Sequence, residues 1–487
     1  MRPERRISVG SVVAALVGTA AIAAIGITTV LPHPTIAGAL GLVVIAVCLV
    51  ALYRVTFSDH FTPIAVTFWA FVAVWVGFAP LFQIRDGRLP WPDLPLAQFA
   101  VTAQVILLCA VAAYWAGYTR ALRPAPARTS TRFAVTVEKA IVITVIATVM
   151  AIVCLPQTGG LAVRFTTRDD LQAAIRQAGL TGGRDLALLG LLSTLPAAVS
   201  LAALLLCLLC WRNRNYATRR ARWILLGTTG VAGALNVIYN NPLTANRFAA
   251  FSVLLAAGMA LMRFDRRFWR VAFSAGMLLG LAVLYPLANL FRNDRSRGSL
   301  RVGLDAYYTW DFDGFQQTVN GVYYAHAYGH TWGHHLLSAL LFWVPRSIWE
   351  GKAIGAGNVV AASRGYEFQN LALPFWAEVY IEFTLAGVVV LFFFYGRLAR
   401  HLDRAVNTAP ANLVSALAVL FAACQIGLVR GPLGAQIPFA GTALVVVLVG
   451  VLGWRGTAWR LTRLPETRAE PPPQPVHRHE PPVESPA

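Results

Sequence analysis

The chain of 487 residues is 57% hydrophobic and only 13% charged, against roughly 25% charged residues in an ordinary soluble domain. Apolar runs recur from one end to the other and the mean hydropathy is +0.59; this excludes a string of soluble domains and argues for one integral membrane unit. The formal charge of +19 would suggest nucleic acid in a soluble protein. Here the cations sit in short connections between apolar runs, where they suit anionic lipid headgroups, so no nucleic-acid partner is implied. The six cysteines, Cys48, Cys109, Cys154, Cys207, Cys210 and Cys424, all fall inside apolar runs. Cys207 and Cys210 have redox or zinc spacing, but within LLLCLLCW they read as small apolar residues of a membrane helix.

Crossing about 30 Å of hydrocarbon takes about 20 apolar residues in a helix. Twelve stretches qualify: 8–31, 35–53, 61–83, 97–119, 137–156, 185–210, 223–240, 246–262, 269–291, 372–396, 411–428 and 435–453. The first is too long, and lacks the small-residue cleavage site, for a secretory signal, so it reads as a retained span. The expected fold is an all-α polytopic membrane protein of about twelve transmembrane helices with a large, folded fifth outer loop. Helices one to nine occupy 1–291, including an outer loop at 157–184. The large loop, with amphipathic or re-entrant segments, is 292–371. Helices ten to twelve occupy 372–453, and 454–487 is a Pro-rich tail without an apolar face, expected to be disordered.

Orientation follows from the loop cations. With the N-terminus inside, 26 of the 41 Lys and Arg fall on inner segments and 15 on outer ones, 11 of those in two loops. Both termini are then cytoplasmic, and the lipid bilayer is the first partner. Charges are almost absent from the middle of the spans; Glu378 and Glu382 lie within the outer half of the tenth. A coupled transporter usually buries carboxylates, or breaks helices, near the midplane, and the absence of these signs counts against that class.

The outer loops hold most of the remaining chemistry. The third, 157–184, carries Arg164, Arg168, Arg176 and Arg184 against Asp169 and Asp170. Thr167 marks a helix start and Gly179 its stop. The fifth, 292–371, is too aromatic and apolar to be disordered. It opens with Arg292, Arg295 and Arg297, which either anchor the span or meet an anion. Asp311 and Asp313 follow, as orienting groups or as partners of those arginines. His326, His330, His334 and His335 come next. His330 and His334 are four apart, but Gly329 and Gly333 weaken any helix and no carboxylate completes a zinc motif; a polar, satisfied or proton-transferring histidine fits better than a metal. The apolar LLSALLFWVP is too short to span and should re-enter or lie at the interface. Arg346 then follows Pro345 in an apolar setting, which points to a specific anionic partner.

From His335 to Gly387 the chain resembles the Wzy-type polymerases of oligosaccharide repeat units. In that family a Pro-Arg-x-x-Trp-x-x-Lys segment leads to a Glu-x-Tyr-x-x-Phe-x-x-x-Gly helix start. Here these are Pro345, Arg346, Trp349 and Lys352, then Glu378, Tyr380, Phe383 and Gly387. Members often have Asn before that Phe and Gly after it, where this chain has Glu382 and Thr384. Some carry Arg-x10-Gly in both large loops; Arg168 to Gly179 and Arg346 to Gly357 fit, as does Arg247 to Gly258 outside them. The resemblance implies transfer of a glycan from a polyprenyl diphosphate to the next lipid-linked repeat unit, outside the cytoplasmic membrane of a bacterium. It implies no cofactor and no metal, with a chain-length regulator and a flippase as candidate partners. Without a metal, arginines would take the diphosphate charge: Arg346, Arg168, Arg292, Arg295 and Arg247, with Lys352. The base would be His330, His334, His335 or Glu378, with Asp311, Asp313 and Tyr380 as orienting groups. An O-antigen-ligase-like enzyme follows the same logic; a lipid-linked oligosaccharide flippase or a scaffold are the readings from other classes.

Overall fold

The computed structural model describes residues 9–91, 96–120, 133–167, 170–171, 173–174, 183–245, 247–261, 266–287, 303–408, 412–453 and 462. Among them no strand forms beyond two isolated bridges, Ala134 with Asn412 and Tyr216 with Thr462. Each of the twelve expected stretches coincides with a helix. They are α1 (Val9–Thr29), α2 (Ile36–Thr56), α3 (Pro63–Arg85), α4 (Leu96–Thr119), α5 (Val137–Gln157), α6 (Gly183–Arg212), α7 (Arg219–Tyr239), α8 (Arg247–Leu261) and α9 (Arg267–Leu287). Then come α10 (Gly314–Tyr328), α11 (His334–Leu340), α12 (Ala356–Ser363), α13 (Phe375–Thr408), α14 (Leu413–Arg430) and α15 (Leu433–Leu452). Ten of these are long and apolar enough to cross a membrane; Gly18–Thr29 of α1, and α8, are apolar but shorter.

The starts follow local chemistry. Thr35, Thr136 and Thr218 each accept a hydrogen bond from the first turn of α2, α5 and α7, and Asn412 with Ser415 forms a capping box on α14. Two helices are capped from a distance instead. The buried Asp403 accepts from Ile64 N at 2.9 Å and Ala65 N at 3.2 Å at the start of α3. Glu378 accepts from Leu433 N, at 2.9 Å, at the start of α15. A buried carboxylate is most easily satisfied by orphan N–H groups and the positive end of a helix dipole.

The central helix is α3, which is almost wholly buried. Against it α4 and α13 cross at backbone contact. A Cβ on Gly117 would lie 1.9 Å from the Phe393 carbonyl oxygen, and one on Gly396 would lie 2.0 Å from that of Tyr114.

The connections sort into two ends. At one, Arg270 donates to Ser58 O, Tyr118 to Asp403, Asn215 to Val135 O and Arg212 to Met259 O. Among the described residues this end carries most of the arginines. At the other, Trp91 meets Gln316, Arg247 meets Asp311, and Asn241 donates to Arg164 O.

Residues 314–328, expected in a loop lying over the spans, depart from that reading. They form α10, which is inserted in the bundle against α4 and α13, with Gln316, Gln317, Thr318 and Asn320 fully buried. The polar sequence hid this burial because each side chain has an internal partner. Gln316 exchanges two hydrogen bonds with the Trp91 backbone (2.8 and 2.9 Å). Thr318 accepts from Trp376 Nε1, and Asn320 donates to Gln317. A second departure is α13, which runs past the expected end at 396 to Thr408 and breaks at Phe383 and Thr384 (φ 63°). The LLSALLFWVP stretch forms most of the seven-residue α11 and a turn, with Leu337, Leu340 and Trp343 exposed, as is Ile348 beyond it.

Candidate functional site

At the break in α13 the chain brings histidines and a carboxylate together. Thr331 N and Trp332 N donate to the carbonyls of Ile381 and Glu382 (3.1 and 3.0 Å), tying the turn before α11 to the broken helix. Gly329 (φ 86°) and Gly333 (φ 91°) permit that turn, so His330 and His334 do not share a helix face. His335 lies in the first turn of α11 and is buried. Its Nδ1 lies 2.9 Å from Glu382 Oε1, which also accepts from Thr331 Oγ1 (2.8 Å) and His335 N (3.2 Å). With Nδ1 donating to the carboxylate, Nε2 is the basic nitrogen, the arrangement of an oriented general base. His330 directs Nδ1 at the carbonyls of Tyr380 and Ile381 (3.0 and 3.2 Å). His334 donates from Nε2 to Gly351 O at 2.8 Å.

The Pro345–Ala353 segment folds back onto α11. Lys352 Nζ donates to the carbonyls of Leu341, Phe342 and Val344 at 2.8–3.0 Å. The exposed Arg346 donates to Lys352 O (2.6 Å) and Ala353 O (3.2 Å). Partial burial, and Arg346 nearby, lower the Lys352 pKa. Arg346, Lys352, His334 and His335 therefore belong to one local unit. Gly357, eleven residues after Arg346, meets the Leu371 backbone; a Cβ there would lie 2.5 Å from its carbonyl oxygen.

A second polar group lies beneath the turns Gly303–Tyr308 and Trp310–Phe312. Arg247 Nη2 pairs with Asp311 Oδ1 at 2.5 Å and its guanidinium stacks on Tyr285 at 4.2 Å. Asp313 accepts from Trp91 Nε1 (3.0 Å) and Gln317 Nε2 (3.2 Å), with Arg430 Nη2 4.0 Å away. Burial pushes the Asp313 carboxyl up to about 6, and Arg430 pulls the other way. Asp311 thus pairs with Arg247, so Arg247, expected to hold diphosphate, already has a carboxylate partner. Above this group Trp91, Trp310, Tyr366 and Phe368 stack nearly parallel, with centroids 4.8–5.9 Å from Trp91; Trp310 and Phe368 are exposed.

Of the other expected residues, Arg168, Arg292, Arg295 and Arg297 lie outside the described residues, as do Gly179 and the tail other than Thr462. The expected helix start at Thr167 is present: Asp170 accepts from Thr167 N and Oγ1 and returns its own N–H to that hydroxyl. Glu378 is buried on its cap. Tyr380 offers its carbonyl to His330 and sets its ring 5.6 Å from the imidazole. Sequence reasoning named Glu382 as a charge in the tenth span and as a departure from a motif, but gave it no role in the site. No spacing rule links it to His335, 47 residues away; its one signal was a carboxylate in an apolar span. No family model matches the chain, and neither a curated protein nor a solved structure does.

Proposed function

We propose that this protein is a multi-pass membrane glycosyltransferase that polymerises polyprenyl-diphosphate-linked oligosaccharide repeat units. It would work on the outer face of a bacterial cytoplasmic membrane, with about twelve spans and both termini inside. The single observation that carries the reading is the His335–Glu382 pair, held on the same unit as Arg346 and Lys352. His335 Nε2 takes the proton of the acceptor hydroxyl as the oxygen attacks the anomeric carbon. Glu382 orients the ring and balances the imidazolium. The bond from that carbon to the diphosphate breaks, and Arg346 offsets the charge on the departing lipid diphosphate. The platform of Trp91, Trp310, Tyr366 and Phe368 offers the flat faces that sugar rings stack on. The exposed Leu337, Leu340, Trp343 and Ile348 suit a segment lying at the headgroup level.

Two details favour the motif resemblance despite its departures. Thr384 stands where members have Gly, and it adopts a positive φ, a backbone shape glycine takes freely. Gly387 is required by packing, since a Cβ there would lie 2.3 Å from that of Phe383. The test is the lipid-linked glycan that accumulates when the protein is deleted. Single repeat units support polymerisation, long chains move the reading to a ligase, and an unchanged profile contradicts both.

A further inference from the structure

A cavity of about 240 Å³ lies between α6, α7, α8, α14 and α15, apart from the His335–Glu382 pair. Its polar wall holds Thr158, Arg164, Thr194, Asn240 and Gln436. Its apolar wall includes Phe248, Leu428 and Phe439. Arg164 is only 3% exposed. The chain fixes it from three sides. Its carbonyl accepts from Asn241 Nδ2 (2.9 Å) and Thr244 Oγ1 (3.2 Å). Its Nη2 donates to Thr158 Oγ1 at 2.6 Å, and its guanidinium lies 4.9 Å from the Tyr239 ring centroid. Yet among the described residues Nε is buried without a hydrogen-bond partner, as is Asn240 Oδ1. Among the described residues Arg164 is the one cation lining the cavity, and no carboxylate lines it.

A buried guanidinium without a counter-ion is costly, and its planar fork matches phosphate oxygens. One positive charge balances one negative charge, so the site fits a monoanionic phosphodiester better than a dianion. The apolar wall adds room for hydrocarbon. We propose that this cavity binds an anionic phospholipid, its phosphodiester on Arg164 and one chain along Phe248, Leu428 and Phe439. The site stands on the cavity alone and is independent of the glycosyl-transfer reading.

The test is native mass spectrometry of the full-length protein in detergent, titrated with dioleoyl phosphatidylglycerol, dioleoylglycerol or inorganic phosphate. The expected result is saturable binding of phosphatidylglycerol, with the other two retained far less. Arg164→Gln removes the charge, and its affinity for phosphatidylglycerol should fall about tenfold or more. Ala440→Leu narrows the apolar wall and leaves Arg164 in place; it should also weaken binding, and it decides the matter if Arg164→Gln does not fold. Unchanged affinity in Ala440→Leu and in a folded Arg164→Gln would overturn the proposal. So would phosphate alone binding as tightly as the lipid, or dioleoylglycerol doing so.

Discussion

Buried carboxylates do different work at different positions in this chain. Glu378 and Glu382 are one helical turn apart, and the sequence offers no reason to separate them. Glu378 caps α15 through Leu433 N, whereas Glu382 orients His335. The break at Phe383 and Thr384 lies directly after Glu382, so backbone geometry, which hydropathy does not report, decides the environment here. Asp313 provides a pH test. Its folded-state value is raised to about 6 by burial, above the ordinary carboxylate value near 4. The folded protein therefore keeps a proton that the unfolded chain loses, so stability is higher below that window and declines as pH rises from about 4 to about 6. Melting of the detergent-solubilised protein should show this slope, and Asp313→Asn should flatten it. At Arg346 both terminal nitrogens close the turn to Lys352 and Ala353. Arg346→Lys keeps the charge but loses the fork, so it should retain membrane insertion and lose most polymerisation. Polymer formed per inserted molecule measures this, and a structural anchor would instead lower the protein level with specific activity intact.

At the scale of elements, the apolar spans were legible because about 20 residues of hydrocarbon-facing helix leave a compositional trace. Their starts were legible where Thr or Asn caps them. The insertion of α10 was not, because Gln316, Gln317, Thr318 and Asn320 look like loop residues until their partners on distant segments are known. The same limit hid the crossing of α4 with α13, which depends on Gly117 and Gly396 facing carbonyls of the other helix. Gly396→Ala should push the helices apart and destabilise the protein by about 1–3 kcal/mol, the usual range for overpacking. Gly230 meets nothing within 4 Å, so Gly230→Ala should be neutral or stabilising by up to about 1 kcal/mol. Thermal unfolding of both variants in one detergent checks the pair; equal melting temperatures would mean that the crossing is looser than described.

At the scale of the whole molecule, cations and hydrogen bonds agree on two ends. The arginine-rich connections contact one another at one, and His330, His334, His335, the Trp91 platform and the Arg247–Asp311 pair gather at the other. If the arginine-rich end is cytoplasmic, a membrane-impermeant thiol reagent on intact cells should label Trp332→Cys and Ile348→Cys. Both positions are more than 70% exposed. Arg219→Cys should react only after lysis, and the reverse pattern would invert the topology. The chemistry is tested most directly by the purified protein in liposomes, supplied with lipid-linked single repeat units, reading glycan length against time. The wild type should extend them into longer chains without added nucleotide sugar. His335→Ala should insert normally and extend them at a rate lower by about a hundredfold or more, the range for loss of a general base. A rate per inserted molecule equal to wild type in His335→Ala would contradict the assignment of the His335–Glu382 pair as the catalytic centre.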